Sequence, residues 1–128
     1  MNTREHRFFA YDLAVDIARA LVEPLKAMRE KDRHLWDQSY RSLKDMGLAV
    51  AEGGKRRKLD RAYFFDTAAG SAQELRMALT LAITFGAIEA AKIEGAERMI
   101  DRELGMLWKL ARRAESDAAA AKKRGRSA

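Results

Sequence analysis

The chain has 128 residues, with 25 Lys and Arg against 19 Asp and Glu, a net charge of +6 and no cysteine. That length holds one core and is short for two, and the lack of cysteine removes disulfides, thiolate metal sites and a thiol nucleophile. Apolar residues at 48% and charged residues at 34% describe a globular chain. No apolar run nears the roughly 18 residues a membrane span needs, and the opening MNTREHRFF has no apolar leader, so the expected compartment is the cytoplasm.

Ala, Leu, Arg, Lys, Glu and Met dominate, and all favour helix. The first predicted helix covers residues 9–28, where Leu13, Ile17, Leu21, Leu25 and Met28 make one apolar stripe. Pro24 interrupts it by removing a backbone N–H, which predicts a kink or break near Leu21 to Pro24. Asp32 is the expected N-cap of a second helix over 33–52, on which Trp36, Leu43 and Val50 recur every seven residues. Gly53-Gly54 is its expected stop.

The third helix is predicted over 60–85, with Phe65, Ala68, Ala72, Leu75, Leu79 and Ala82 at spacings of three and four. Small residues from Ala68 to Ala72 permit close helix packing, and Gly86 is the expected terminator. The fourth helix is predicted over 90–114, with Ile93, Glu97, Ile100, Leu104, Leu107 and Ala111 on its buried face. Residues 116–128 have no apolar stripe and read as a frayed, basic, disordered tail beyond a domain at 1–115. Four helices of about 20–26 residues joined by short loops make an all-α, antiparallel up-down-up-down bundle.

Catalytic chemistry finds little to stand on. His6 and His34 lack metal-ligand spacing, and the Glu-x-x-His pairs of a di-iron bundle are absent. No nucleophile elbow or phosphate-cradling loop occurs, and Gly53-Gly54-Lys55 has the wrong spacing for one. No enzyme activity, cofactor or metal is expected. Glu52, at a helix C-terminus that disfavours negative charge, calls for an Arg partner or an exposed place; Glu74 reads as a structural ion pair or interface residue.

The basic residues say more. Lys55, Arg56, Arg57, Lys58 and Arg61 put five cations within seven residues between the second and third helices. They serve either as phosphate contacts or as a solvated loop that maintains solubility. Lys122, Lys123, Arg124 and Arg126 form a basic tail, either a nonspecific nucleic-acid arm or a chain end. Arg112 and Arg113 read as complements to the dipole of the fourth helix. Of Tyr63, Phe64 and Phe65, only Phe65 fits the core stripe, so Tyr63 and Phe64 are expected at a subunit interface.

These motifs carry a resemblance. Asp37-Gln38-Ser39-Tyr40-Arg41, then Ala51-Glu52-Gly53, a basic stretch, Tyr63-Phe64-Phe65 and Gly70-Ser71-Ala72-Gln73-Glu74-Leu75 resemble the four-helix bundle family of 23S rRNA intervening-sequence proteins. Tyr11-Asp12-Leu13-Ala14 is similar to the family's opening segment. Gln38, Arg41, Glu52, Gly53, Gly70, Ser71 and Glu74 match its pattern, whereas Ala49 stands where the family carries Asn. The resemblance implies a homopentameric ring. Through the related accessory variability determinant of diversity-generating retroelements, it also implies nucleic-acid binding and a reverse-transcriptase partner. The expected function is therefore a non-enzymatic oligomeric accessory protein that binds nucleic acid, RNA before DNA. The alternative is a protein-binding scaffold with no direct nucleic-acid role.

Overall fold

The computed structural model of the protein describes residues 2–127. Four α-helices occupy nearly all of them: α1 (Thr3–Lys31), α2 (Arg33–Lys55), α3 (Lys58–Thr84) and α4 (Glu94–Ser127), with a 3-10 turn at Ala90–Lys92. No strand occurs among the described residues. α1 packs on α2 and α4, and α3 packs on the same two, closing a four-helix bundle.

The helix ends follow from local chemistry. α1 starts six residues before the predicted start at Phe9 because Asn2 and Glu5 form a capping box. The Glu5 N–H donates to Asn2 Oδ1 at 2.9 Å, and the Asn2 N–H donates back to Glu5 Oε2. α1 then runs through Pro24 without the predicted break. The carbonyl left without a donor belongs to Ala20, an exposed residue, so it is not stranded in the core.

Asp32 ends one helix and begins the next. Its N–H donates to the Met28 carbonyl at 2.8 Å, and its Oδ1 accepts from the Leu35 N–H at 2.9 Å. α2 continues through Gly53 and Gly54 to Lys55, so the glycine pair does not stop it. α3 ends in a Schellman motif: Gly86, at a φ of 79°, donates to Ile83, and Ala87 donates to Ala82.

α4 also departs from expectation. It continues as helix past Ser116 to Ser127, across the stretch expected to be disordered. The run Ala118 to Ala121 is strongly helix-forming, and Arg113 pairs with Asp117 across one turn at 3.3 Å. Ala128 lies outside the described residues.

Two apolar clusters stack along the bundle. The larger gathers Leu13, Ile17, Leu21, Met28, Met46, Leu75, Leu79 and Ile100, with others. The smaller gathers Ala10, Ala49, Val50, Phe65, Ala68, Ala69, Leu107, Leu110 and Ala111. Arg76 bridges α3 to α4 through Glu97 and, at 3.2 Å, Asp101.

Candidate nucleic-acid interface

The basic run lies across a tight connection rather than in a long loop. Lys55 is the last residue of α2, Arg56 and Arg57 link the helices in extended conformation, and Lys58 and Arg61 belong to the start of α3. Lys58 adopts a φ of 51°, the left-handed region that side-chain-bearing residues seldom occupy. Lys55, Arg57 and Lys58 are exposed, and Arg61 is half-buried.

Arg56 is committed elsewhere. Its Nη2 lies 2.7 Å from Glu52 Oε1, and its guanidinium sits 5.3 Å from the Phe64 ring centre. Glu52, near the C-terminal end of α2, thus has an Arg partner that offsets the unfavourable dipole.

Arg61 gathers charge from the other helices. Burial lowers its guanidinium pKa first, repulsion from Arg7 and Arg57 lowers it further, and Asp117 opposes the shift. Its Nε is buried with no hydrogen-bond partner. The first part of α1 and the far part of α4 therefore lie beside the α2–α3 connection. Between those two, a cleft of about 360 Å³ is lined by Asn2, Thr3, His6, Lys109, Leu110 and Arg113. Arg7, which acts on Arg61, and Lys109 and Arg113, which line this cleft, are cations at this end beyond those expected there from sequence. Arg113 in particular complements a dipole only near a helix end, and α4 does not end there.

The remaining expected residues are dispersed. Lys122, Lys123, Arg124 and Arg126 lie exposed on the last turns of α4. Gln38 and Glu74 are exposed, and Arg41 pairs with Asp37 at 3.1 Å on α2. Gly70 is half-buried and Ser71 buried on α3. Gly53 is buried against Phe65, where a Cβ would come within 2.7 Å of the ring. Tyr63 is exposed and Phe64 half-buried, their rings edge-on with centres 5.3 Å apart.

One buried group is absent from the residues singled out by sequence. Glu103 is fully buried on α4, and both carboxylate oxygens lack a hydrogen-bond partner. It shares a stripe with Ile100, Leu107 and Leu110, one position away from Leu104, which helical spacing assigns to the core. Desolvation raises its pKa to about 8, so it is mostly protonated at neutral pH. The signal is present as spacing: Glu103 falls three residues after Ile100 and four before Leu107.

Among the described residues, no three His, Asp or Glu side chains gather as a metal site, and no helix is long and apolar enough to cross a membrane. No known protein family, characterised protein or solved structure matches this chain.

Proposed function

We propose that the protein is a non-enzymatic, cytoplasmic accessory protein that binds nucleic-acid phosphates, in RNA before DNA, at the end of the bundle carrying the α2–α3 connection. The observation that carries this reading is the placement of Arg7 of α1 beside Arg57 and Arg61 at the start of α3, where repulsion adds to burial in lowering the Arg61 pKa. Lys55 and Lys58 stand exposed beside them. A phosphate there accepts charge-assisted hydrogen bonds and relieves the repulsion. Nothing in the arrangement selects a base, so the contacts position a backbone rather than read a sequence.

The same proposal includes an up-down-up-down bundle assembled as a homo-oligomer. The first two connections, of one and two residues, leave no length for a return crossover, and the third, residues 85–93, is short against the 27-residue helix it follows. Exposed Leu59, Tyr63, Met77 and Phe85 supply apolar surface for a subunit contact. A five-membered ring and a reverse-transcriptase partner rest on the family resemblance alone.

The test is fluorescence anisotropy of a short structured RNA and a matched DNA duplex, titrated with salt. A steep fall of log K with log salt supports the reading. Absence of binding at low salt removes it and leaves the second reading, a protein-binding scaffold, which is favoured by the apolar groove between α1 and α2.

A further inference from the structure

The outer face shared by α1 and α2 is a groove of about 710 Å³. Its floor is made of small residues: Ala14 and Ala18 from α1, Gly47 and Ala51 from α2. Its walls include Tyr11, Val22, Tyr40 and Leu48, exposed by 51%, 48%, 42% and 70%, values that mark unfinished burial rather than scattered surface residues. Along α1 the lining runs from Tyr11 to Arg29, about 27 Å at 1.5 Å per residue. That is too long for one small molecule and suits a helix of about 18 residues.

The rim adds a sign. Every charged residue lining the groove is a cation: Lys26, Arg29 and Lys44. Arg29 lies 4.8 Å from the Trp36 ring centre, Trp36 stacks on Tyr40 at 5.4 Å, and Lys44 lies 4.4 Å from Tyr40. This ladder holds two cations and two rings along one wall. Lys26 stands 3.5 Å from Glu23, a contact between exposed groups that water largely screens.

We propose that this groove binds an amphipathic helix of a partner protein, with an apolar stripe facing Gly47 and Asp or Glu flanking it. The small floor admits a helix backbone at close range. The walls accept apolar anchors at i, i+3, i+4 and i+7, and the cationic rim selects acidic flanks over basic ones. A concave slot between two helices fits a cylinder better than a flat lipid surface. The inference rests on the scaffold reading and gives it a site and a partner chemistry.

The probe is an N-acetylated 18-residue helical peptide with leucines on one stripe and glutamates beside it, with a second peptide carrying lysines in place of the glutamates. Replacing Trp108 by Phe leaves Trp36 as the fluorescent reporter. The glutamate peptide is expected to bind at least 10-fold more tightly than the lysine peptide. Gly47→Leu, which fills open space on a helix, and Leu48→Glu, at an exposed position, should each weaken it at least 10-fold with RNA binding unchanged, and Gly47→Leu should melt no lower than the native protein. Equal binding of the two peptides, or binding indifferent to Gly47→Leu, overturns the proposal. So does an oligomer in sedimentation that Gly47→Leu dissociates, because a second copy then occupies the groove, or peptide-free binding to anionic vesicles lost in Leu48→Glu. A natural protein partner retained by Gly47→Leu overturns the groove while leaving a scaffold role intact.

Discussion

Gly53 of α2 faces the ring of Phe65 of α3 so closely that a methyl group on it would stand 2.7 Å from Cε1. Phe65 is fully buried and anchors the smaller apolar cluster. The glycine therefore serves interhelical packing, at a helical position where its own propensity is unfavourable.

Glycine-to-alanine substitutions should separate in sign. At Gly53 the helix gains about 1 kcal/mol of propensity, but overpacking a closed core costs about 1–3 kcal/mol, so Gly53→Ala is expected to destabilise. At Gly47 and Gly105, also helical, an added Cβ meets nothing within 4 Å. Gly47→Ala and Gly105→Ala should stabilise by up to about 1 kcal/mol. Urea denaturation of the three variants checks the order.

Glu103 makes stability depend on pH. Its pKa is about 8 in the folded chain, against a reference near 4.5. Below both values the carboxyl is protonated in either state. Between them the unfolded chain releases the proton and the folded chain keeps it, so stability falls as pH rises, by about 1.4 kcal/mol per unit. Above the folded value the loss is complete. Comparing urea midpoints from about pH 5 to pH 8, the native protein should decline relative to Glu103→Gln. Glu103→Leu should exceed the native stability at pH 7 by roughly 2 kcal/mol. Parallel pH curves would mean that the carboxyl keeps contact with water.

The basic residues should contribute unequally to RNA binding. Replacing Lys55, Arg57, Lys58 and Arg61 by Gln should weaken all sequences alike and lower the log–log salt slope by about 0.7 for each phosphate no longer neutralised. Arg56→Gln should change the slope little, because Glu52 already neutralises that guanidinium. An equal effect from Arg56 would remove the distinction. Arg7→Gln, on a different helix, should lower the slope as one of the four does.

Arg76 ties α3 to α4 through two carboxylates, and Glu97 is the more buried of them. Arg76→Gln should cost about 1 kcal/mol, less at high salt. Arg76→Gln combined with Glu97→Gln should cost less than the sum of the two singles, the mark of a direct pair in a double-mutant cycle.

The apolar stripes are legible in the sequence because their period follows from helix geometry: Leu13 through Met28 and Phe65 through Ala82 are core residues where spacing places them. Asp32 and Gly86 act as their types and positions predict. The Asn2–Glu5 box has a local signature too, but it lies upstream of the apolar stripe that begins at Leu13, where periodicity gives no sign of helix. Gly53 misleads because the same residue type ends helices and admits close neighbours, and only the position of Phe65 tells which. Arg7, Lys109 and Arg113 are beyond reach of sequence. Arg7 stands near Arg61, and Lys109 and Arg113 line the cleft beside the start of α1, because of which helix ends meet, and no local pattern encodes that.

Asp32 leaves a mechanical consequence. One residue is all that separates α1 from α2, so the two helices are yoked beside Arg29 and Trp36 and joined by no such bond at Tyr11 and Leu48. Asp32 thus sets the gauge of the pair through the chain itself at one end, whereas at the other end only packing sets it, with Ala10 of α1 in one cluster with Ala49 and Val50 of α2.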